Sequence, residues 1–220
     1  KAEPAPCFSF SSDGTELHMR ADTPRPWTHV VVNELGYGVF VNNQGGIYSF
    51  MGNSQQNGLT PFSLNAEPVE VPGQVLYLYN MENGDIDGPT AAPFNKKDAA
   101  CAITFGRGYA VYRKTTPQSD MELRLFVLPD APAEVRLLTI RNKAATPVTY
   151  RVVPYLQMML GETPQDTRGK INMQYDEAQQ VLFFTNPGNE FHRGWAFVGM
   201  NLKVESHATS RARFIGGLDR

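Results

Sequence analysis

The chain lacks an apolar run near the roughly 18 residues that a membrane span requires, and its N-terminus lacks the basic and apolar regions of a signal peptide. It contains only two cysteines, Cys7 and Cys101, in 220 residues. A chain of this size with so few thiols is expected to keep them free and buried in a reducing compartment, so a cytoplasmic location is expected. Charge of one sign is also missing. Lys and Arg total 20 against 22 Asp and Glu, and the basic residues are scattered, so there is no electrostatic footprint for nucleic acid. The four histidines, His18, His29, His192 and His207, show no metal-ligand spacing. Asp85-Ile86-Asp87-Gly88 lacks the further oxygen ligands of a calcium loop and reads as a tight turn. Gly106-Arg107-Gly108 is too short to cradle a phosphate, and no nucleophile-elbow or phosphate-loop pattern occurs. No metal and no cofactor are therefore expected.

What the chain has in abundance is short period-two segments. Met121, Leu123, Leu125 and Val127 alternate with Glu122, Arg124 and Phe126, and Ile171, Met173 and Tyr175 alternate with Asn172 and Gln174. Similar segments recur from Cys7 onwards to Leu202 to Ser206, about fifteen in all. Turn chemistry separates them, as in Ser12-Asp13-Gly14, Asn83-Gly84 and Asn186-Pro187-Gly188. The most loop-like region runs from Asn80 to Asp98. No segment keeps a 3.6-residue apolar period for three turns, and 16 Pro and 19 Gly interrupt the chain. The expectation is an all-β, antiparallel sandwich forming a single domain over residues 1–220.

One stretch stands out chemically. Tyr37 to Val41 and Ile47 to Met51 flank the turn-forming run Asn42 to Gly46, which predicts a hairpin with a loose turn. Asn53, Ser54, Gln55, Gln56 and Asn57 then lie between Gly52 and Gly58, beside Tyr48 and Phe50. Neutral amides match hydroxyl pairs and aromatic faces cover pyranose C–H patches, so this mixture suits a sugar. The competing reading is an ordinary polar loop between strands. Gln55, Gln56 and Asn57 are expected to be exposed. Arg25 and Trp27, stiffened by Pro24 and Pro26, are a second candidate sugar surface, against the reading of Trp27 as a core anchor.

These residues also carry a family resemblance. Thr23-Pro24-Arg25-Pro26-Trp27 looks like a TPRPW signature, and Asn53-Ser54, Asn57 and Leu59-Thr60-Pro61-Phe62 are similar to NSRxNxLTPW. Pro72-Gly73, Leu76-Tyr77-Leu78, Pro89 to Pro93, Gly106 to Tyr109, Leu138 to Asn142, Tyr155 to Gly161 and Arg211 to Gly216 follow in family order. The chain resembles the N-terminal β-sandwich module of the inverting glycoside phosphorylases. That family includes cellobiose phosphorylase and cyclic β-1,2-glucan synthase (glycoside hydrolase family 94, formerly glycosyltransferase family 36). Pro72 to Tyr77 and Phe214-Ile215-Gly216 look most like the β-1,2-glucan branch. The pattern departs at Gln55 for arginine, Phe62 for tryptophan, Asp87-Gly88-Pro89 for WSP, Phe105 for histidine and Gln157 for glutamate.

The resemblance implies a supersandwich of the galactose mutarotase kind, placed ahead of a helical (α/α)6 barrel that carries the catalytic aspartate and the phosphate-binding groups. Lys1 is not a methionine and no helical pattern appears before Arg220, so a module or fragment lacking the catalytic barrel is expected. Its partners would be the (α/α)6 catalytic domain of the same polypeptide, a β-glucan oligosaccharide, and a second copy in a homodimer. The parent protein would be a glycoside phosphorylase or glycosyltransferase, open to tethering at the inner membrane. The alternatives are a stand-alone β-glucan-binding module using Tyr48, Phe50 and the amide loop, a plain scaffold sandwich, and a mutarotase-like epimerase for which Glu190 and His192 form the local acid and base pair.

Overall fold

The computed structural model describes residues 7–61, 73–210 and 214. Phe62, Pro72 and all but Phe214 of the 211–216 motif lie outside them. Fifteen strands and one short helix occur among the described residues. The largest sheet has six antiparallel strands in the order β1 (Phe8–Phe10), β2 (Glu16–Arg20), β8 (Ala100–Gly106), β9 (Tyr109–Thr115), β10 (Ser119–Val127) and β11 (Glu134–Asn142). A three-stranded sheet runs β3 (Thr28–Val32), β4 (Tyr37–Asn42), β5 (Ile47–Met51). Two further three-stranded sheets are β12 (Tyr150–Leu156), β6 (Gln74–Asn80), β7 (Ile86–Asp87), and β13 (Asn172–Asp176), β14 (Val181–Thr185), β15 (Ala196–Val198). The helix α1 covers Pro164–Thr167.

Period two explains why the sheets stack. Met121, Leu123, Leu125 and Val127 alternate inward along β10 and are all buried. Leu123, Leu125 and Val127 join Met19, Ile103, Phe105 and Tyr112 from the same sheet, and meet Val31, Tyr37, Val39, Val41 and Ile47 from β3, β4 and β5 in one core. The expected strands match closely, with two differences. Residues 202–206 form no strand, because the only backbone amide there with a described partner, that of Val204, bonds the Gln180 side chain rather than a neighbouring strand. The loop-like 80–98 region contributes β7, which pairs Leu78 with Asp87.

The run from Asn42 to Gly46 is not a loose surface turn. Asn42 and Asn43 are fully buried. The Asn42 Oδ1 accepts from the amides of Gln44, Gly45 and Gly46 at 3.0, 3.0 and 2.8 Å, closing the loop on its own side chain. Its carbonyl accepts from the Tyr112 hydroxyl at 2.8 Å, which ties the hairpin tip to the six-stranded sheet. Asn43 accepts from the Trp27 amide at 2.8 Å and donates to the carbonyls of Arg20 and Ala21 and to Thr23 Oγ1. Gly45 has φ of +108° and no room for a side chain, since a Cβ there would overlap Thr90.

Beside this hub, Lys114 of β9 is fully buried and pairs with Asp87 of β7, whose side chain is 11% exposed. The Phe94 ring covers the ammonium at 5.0 Å. Asp87, read from sequence as part of a tight turn, is thus the counter-ion of a buried lysine. Cys7 and Cys101 are both free thiols, each partly buried.

Replacing Asp87 by Ala strands a buried ammonium and is expected to destabilise the chain by about 3–5 kcal/mol. Lys114→Met combined with Asp87→Leu should cost far less, and urea unfolding of the variants measures both. A second expectation concerns pH. Burial lowers the pKa of His29 below its usual 6.5, more than its backbone contacts raise it; its Nε2 lies 2.9 Å from the Gly106 carbonyl and its ring stacks on Phe105. The folded chain keeps His29 neutral while the unfolded chain takes up a proton. This contribution is therefore complete above about pH 6.5 and falls as pH drops through that value toward the lowered folded pKa. Urea midpoints at pH 7.5 and 5.5 should differ less in His29→Gln than in the parent chain.

Candidate functional site: a polar cleft beside the amide loop

The amide loop leaves β5 at Met51 and turns on its own side chains. Asn53 Oδ1 accepts from the amides of Gln55 and Gln56 at 2.8 and 3.0 Å, and the Asn57 amide donates to the Asn53 carbonyl at 2.9 Å. Gln55 and Gln56 are left exposed, as expected. Asn57 is not. It is 2% exposed, donates to the Met51 carbonyl at 2.9 Å and accepts from Asn189 Nδ2 at 2.8 Å. The reason is that the loop must dock, and its backbone carbonyls and those of residues 160–161 need buried donors.

That docking joins distant segments. Gly58 and Gly161 exchange two backbone hydrogen bonds, each 3.0 Å. A Cβ at Gly58 would overlap Met159 and stand 2.6 Å from the Tyr48 hydroxyl, so only glycine permits the approach. Asn186 and Asn189 both donate to the Leu160 carbonyl, at 2.9 and 3.0 Å. Asn189 Oδ1 in turn holds the amides of Phe191 and His192 at 2.9 and 3.1 Å, which presents the half-exposed Phe191 ring next to Gly52.

The product is a cleft of about 420 Å3 lined by Gln56, Glu162, Asp166, Lys170, Glu190 and Phe191, with Asn186 and Asn189 at its base. Asp166 is oriented by Thr163, the N-cap of α1, whose hydroxyl lies 2.5 Å from Asp166 Oδ2. Three carboxylates, an ammonium and a primary amide around one aromatic ring offer both donors and acceptors to hydroxyl groups, with one face for C–H packing. Among the described residues no group of three or more His, Cys, Asp or Glu has the arrangement to hold a metal ion.

The other sequence candidates fall elsewhere. Tyr48 is 6% exposed; its hydroxyl donates to the Ser54 carbonyl, and burial raises its pKa. Phe40, Tyr48 and Phe50 cluster with ring centroids 5.4–6.2 Å apart, and Phe50 covers Gly38. Both aromatics of the sequence reading pack in this cluster, Tyr48 buried and Phe50 partly buried. Trp27 is partly buried against the core, 4.9 Å from the Phe8 ring, which is the anchor role, while Arg25 is exposed and its carbonyl accepts from Thr23. The pairing of Thr28 with Asn42 and of Tyr37 with Met51 puts Trp27 at the opposite end of the β3–β5 sheet from the amide loop. Glu190 and His192 are both exposed, with nothing excluding water from them. Glu162, Asp166 and Phe191 were missed, because nothing in the sequence around them signals that they converge on Gln56.

Residues 14–220 match the family described as glycosyl hydrolase 94, supersandwich domain. The chain belongs to that family. This supersandwich domain is 30% identical over 212 residues to cyclic beta-(1,2)-glucan synthase NdvB of Rhizobium meliloti (strain 1021). The alignment covers 94% of this chain and 7% of that protein, so the domain spans only a small part of its relative's length. No helix among the described residues of the domain is long and apolar enough to cross a membrane.

The amide pair that closes the cleft is testable without a ligand. Asn57→Ala and Asn189→Ala should each destabilise the supersandwich domain by about 1–3 kcal/mol, since the first removes the acceptor of a buried Asn189 N–H and the second leaves the buried Asn57 Oδ1 and the amides of Phe191 and His192 without their partner. The double variant should cost less than the sum, and a double-mutant cycle by urea unfolding reads the coupling.

Proposed function

We propose that this supersandwich domain is a non-catalytic module of a longer glucan-synthesising or glucan-phosphorolysing polypeptide. There it supports the catalytic barrel and touches glucan through Gln55, Gln56, Glu190 and Phe191. The observation that carries the reading is the 30% identity across 94% of the chain to a protein named as a cyclic beta-(1,2)-glucan synthase. A carboxylic acid that protonates a glycosidic oxygen in an inverting reaction needs a raised pKa and a shielded position. Glu162, Asp166 and Glu190 are all exposed, which favours contact over catalysis. The convergence of amide, carboxylates and one exposed ring supports a neutral, hydroxyl-rich ligand over a charged one.

Calorimetric titration of the isolated chain with β-1,2-gluco-oligosaccharides should give a weak binding signal. Phe191→Ala should reduce it by about 0.5–1.5 kcal/mol, and Gln56→Ala should weaken it as well. Phosphate-dependent cleavage of the same oligosaccharides should be absent from the isolated chain and present in the native polypeptide. No heat at any oligosaccharide length would remove glucan contact and leave the supporting role.

A further inference from the structure

A second cleft, of about 1660 Å3, shares Glu162 and Thr167 with the polar cleft, extends past Ser54 and Tyr48 to β12, and exceeds the roughly 300–1,000 Å3 of small-molecule sites. Its walls differ in kind. Residues 149–159 border it without a break, so β12 meets the cleft with its edge rather than with one face. On β13, β14 and β15 only alternate residues border it, namely Met173, Tyr175, Leu182, Phe184 and Val198, so that sheet offers an apolar face. β12 is hydrogen-bonded to β6 on one side, and no described strand pairs with its other side. Residues 202–210 form the opposite rim, again without a break, and include the strand-like 202–206 segment that has no ladder partner among the described strands. Tyr155 of β12 is 7% exposed, and among the described residues its hydroxyl has no hydrogen-bond partner.

We infer that this cleft is a strand-addition site, filled by an extended segment of the longer polypeptide that pairs with β12. The inference rests on the module reading above. An open row of backbone donors and acceptors next to a wall contacted at every second residue is complementary to a β-strand with alternating apolar side chains. A glucan chain has no such period-two apolar register. Pro154 has no amide donor, so the added ladder draws its β12 donors from residues on either side of it.

Hydrogen exchange of peptides covering residues 150–156, compared between the isolated 220-residue chain and the native full-length protein, tests this. Exchange at least tenfold slower in the native protein is expected. Equal rates in a native protein longer than this chain overturn the inference and leave the module reading standing. A native protein no longer than this chain overturns both. Concentration-dependent protection of β12 in the isolated chain, with dimer formation, overturns it in favour of a second copy.

Discussion

The structure depends on two adjacent buried asparagines. Asn42 replaces the missing partners of three consecutive loop amides, and Asn43 fastens the neighbouring chain from Arg20 to Trp27 to the same point. Because each unpaired buried group would cost about 1–3 kcal/mol, neither side chain can turn outward without loss of the whole arrangement. Once the hairpin tip is fixed against Tyr112, the register of β4 with β5 fixes where Met51 emerges. The amide loop starts at that residue. The hub therefore positions the polar cleft from the far end of the hairpin, through strand geometry rather than through contact.

A polar layer repeats this logic between the sheets. Gln74 of β6 donates to Ser49 and Thr60 at 2.7 Å, and Ser49 donates to Glu134 of β11 at 2.8 Å, where Arg136 neutralises the carboxylate. Together with Lys114 and Asp87, these groups connect elements that no apolar contact alone would align, since apolar packing is non-directional. Thr60 and the Pro89 to Pro93 stretch, which carried the family resemblance, are thus explained by structure. Thr60 accepts from Gln74 Nε2, and Thr90 packs against Gly45 while donating to the Ala92 carbonyl at 2.7 Å.

The strands were legible in the sequence because one face of each must be buried, and a two-residue period records that requirement directly. β7 was not, since two residues carry no period and its pairing is set by the Asp87 to Lys114 attraction across 27 positions. The amide-rich segments were misleading for a definable reason. Asparagine is the residue that both decorates a sugar site and substitutes for backbone partners, and composition does not separate the two uses. Gln55 and Gln56 remained exposed because their own amides were already satisfied by Asn53, whereas Asn57 had Asn189 to meet. The rest of the polar cleft comes from positions 161–191, more than a hundred residues away, and only the Gly58 to Gly161 approach brings them to Gln56.

The same physics separates the two clefts. Around Gln56 every buried amide nitrogen of Asn57, Asn186 and Asn189 has an acceptor, so that cleft is a finished surface whose exposed groups face outward. Along β12 the order is reversed. The side chains are packed, Tyr155 under Phe214 at 5.1 Å, while a backbone edge and a hydroxyl have no described partner. Unmet backbone groups beside an apolar wall are what one strand of a sheet offers another, and hydroxyl-rich ligands match the first surface but not the second. The completed polar cleft is the surface we propose for a small neutral ligand and the strand edge the one we propose for polypeptide. On that proposal the two roles fall on surfaces of opposite kind, one with its buried amides already paired and one with a backbone edge that has no described partner.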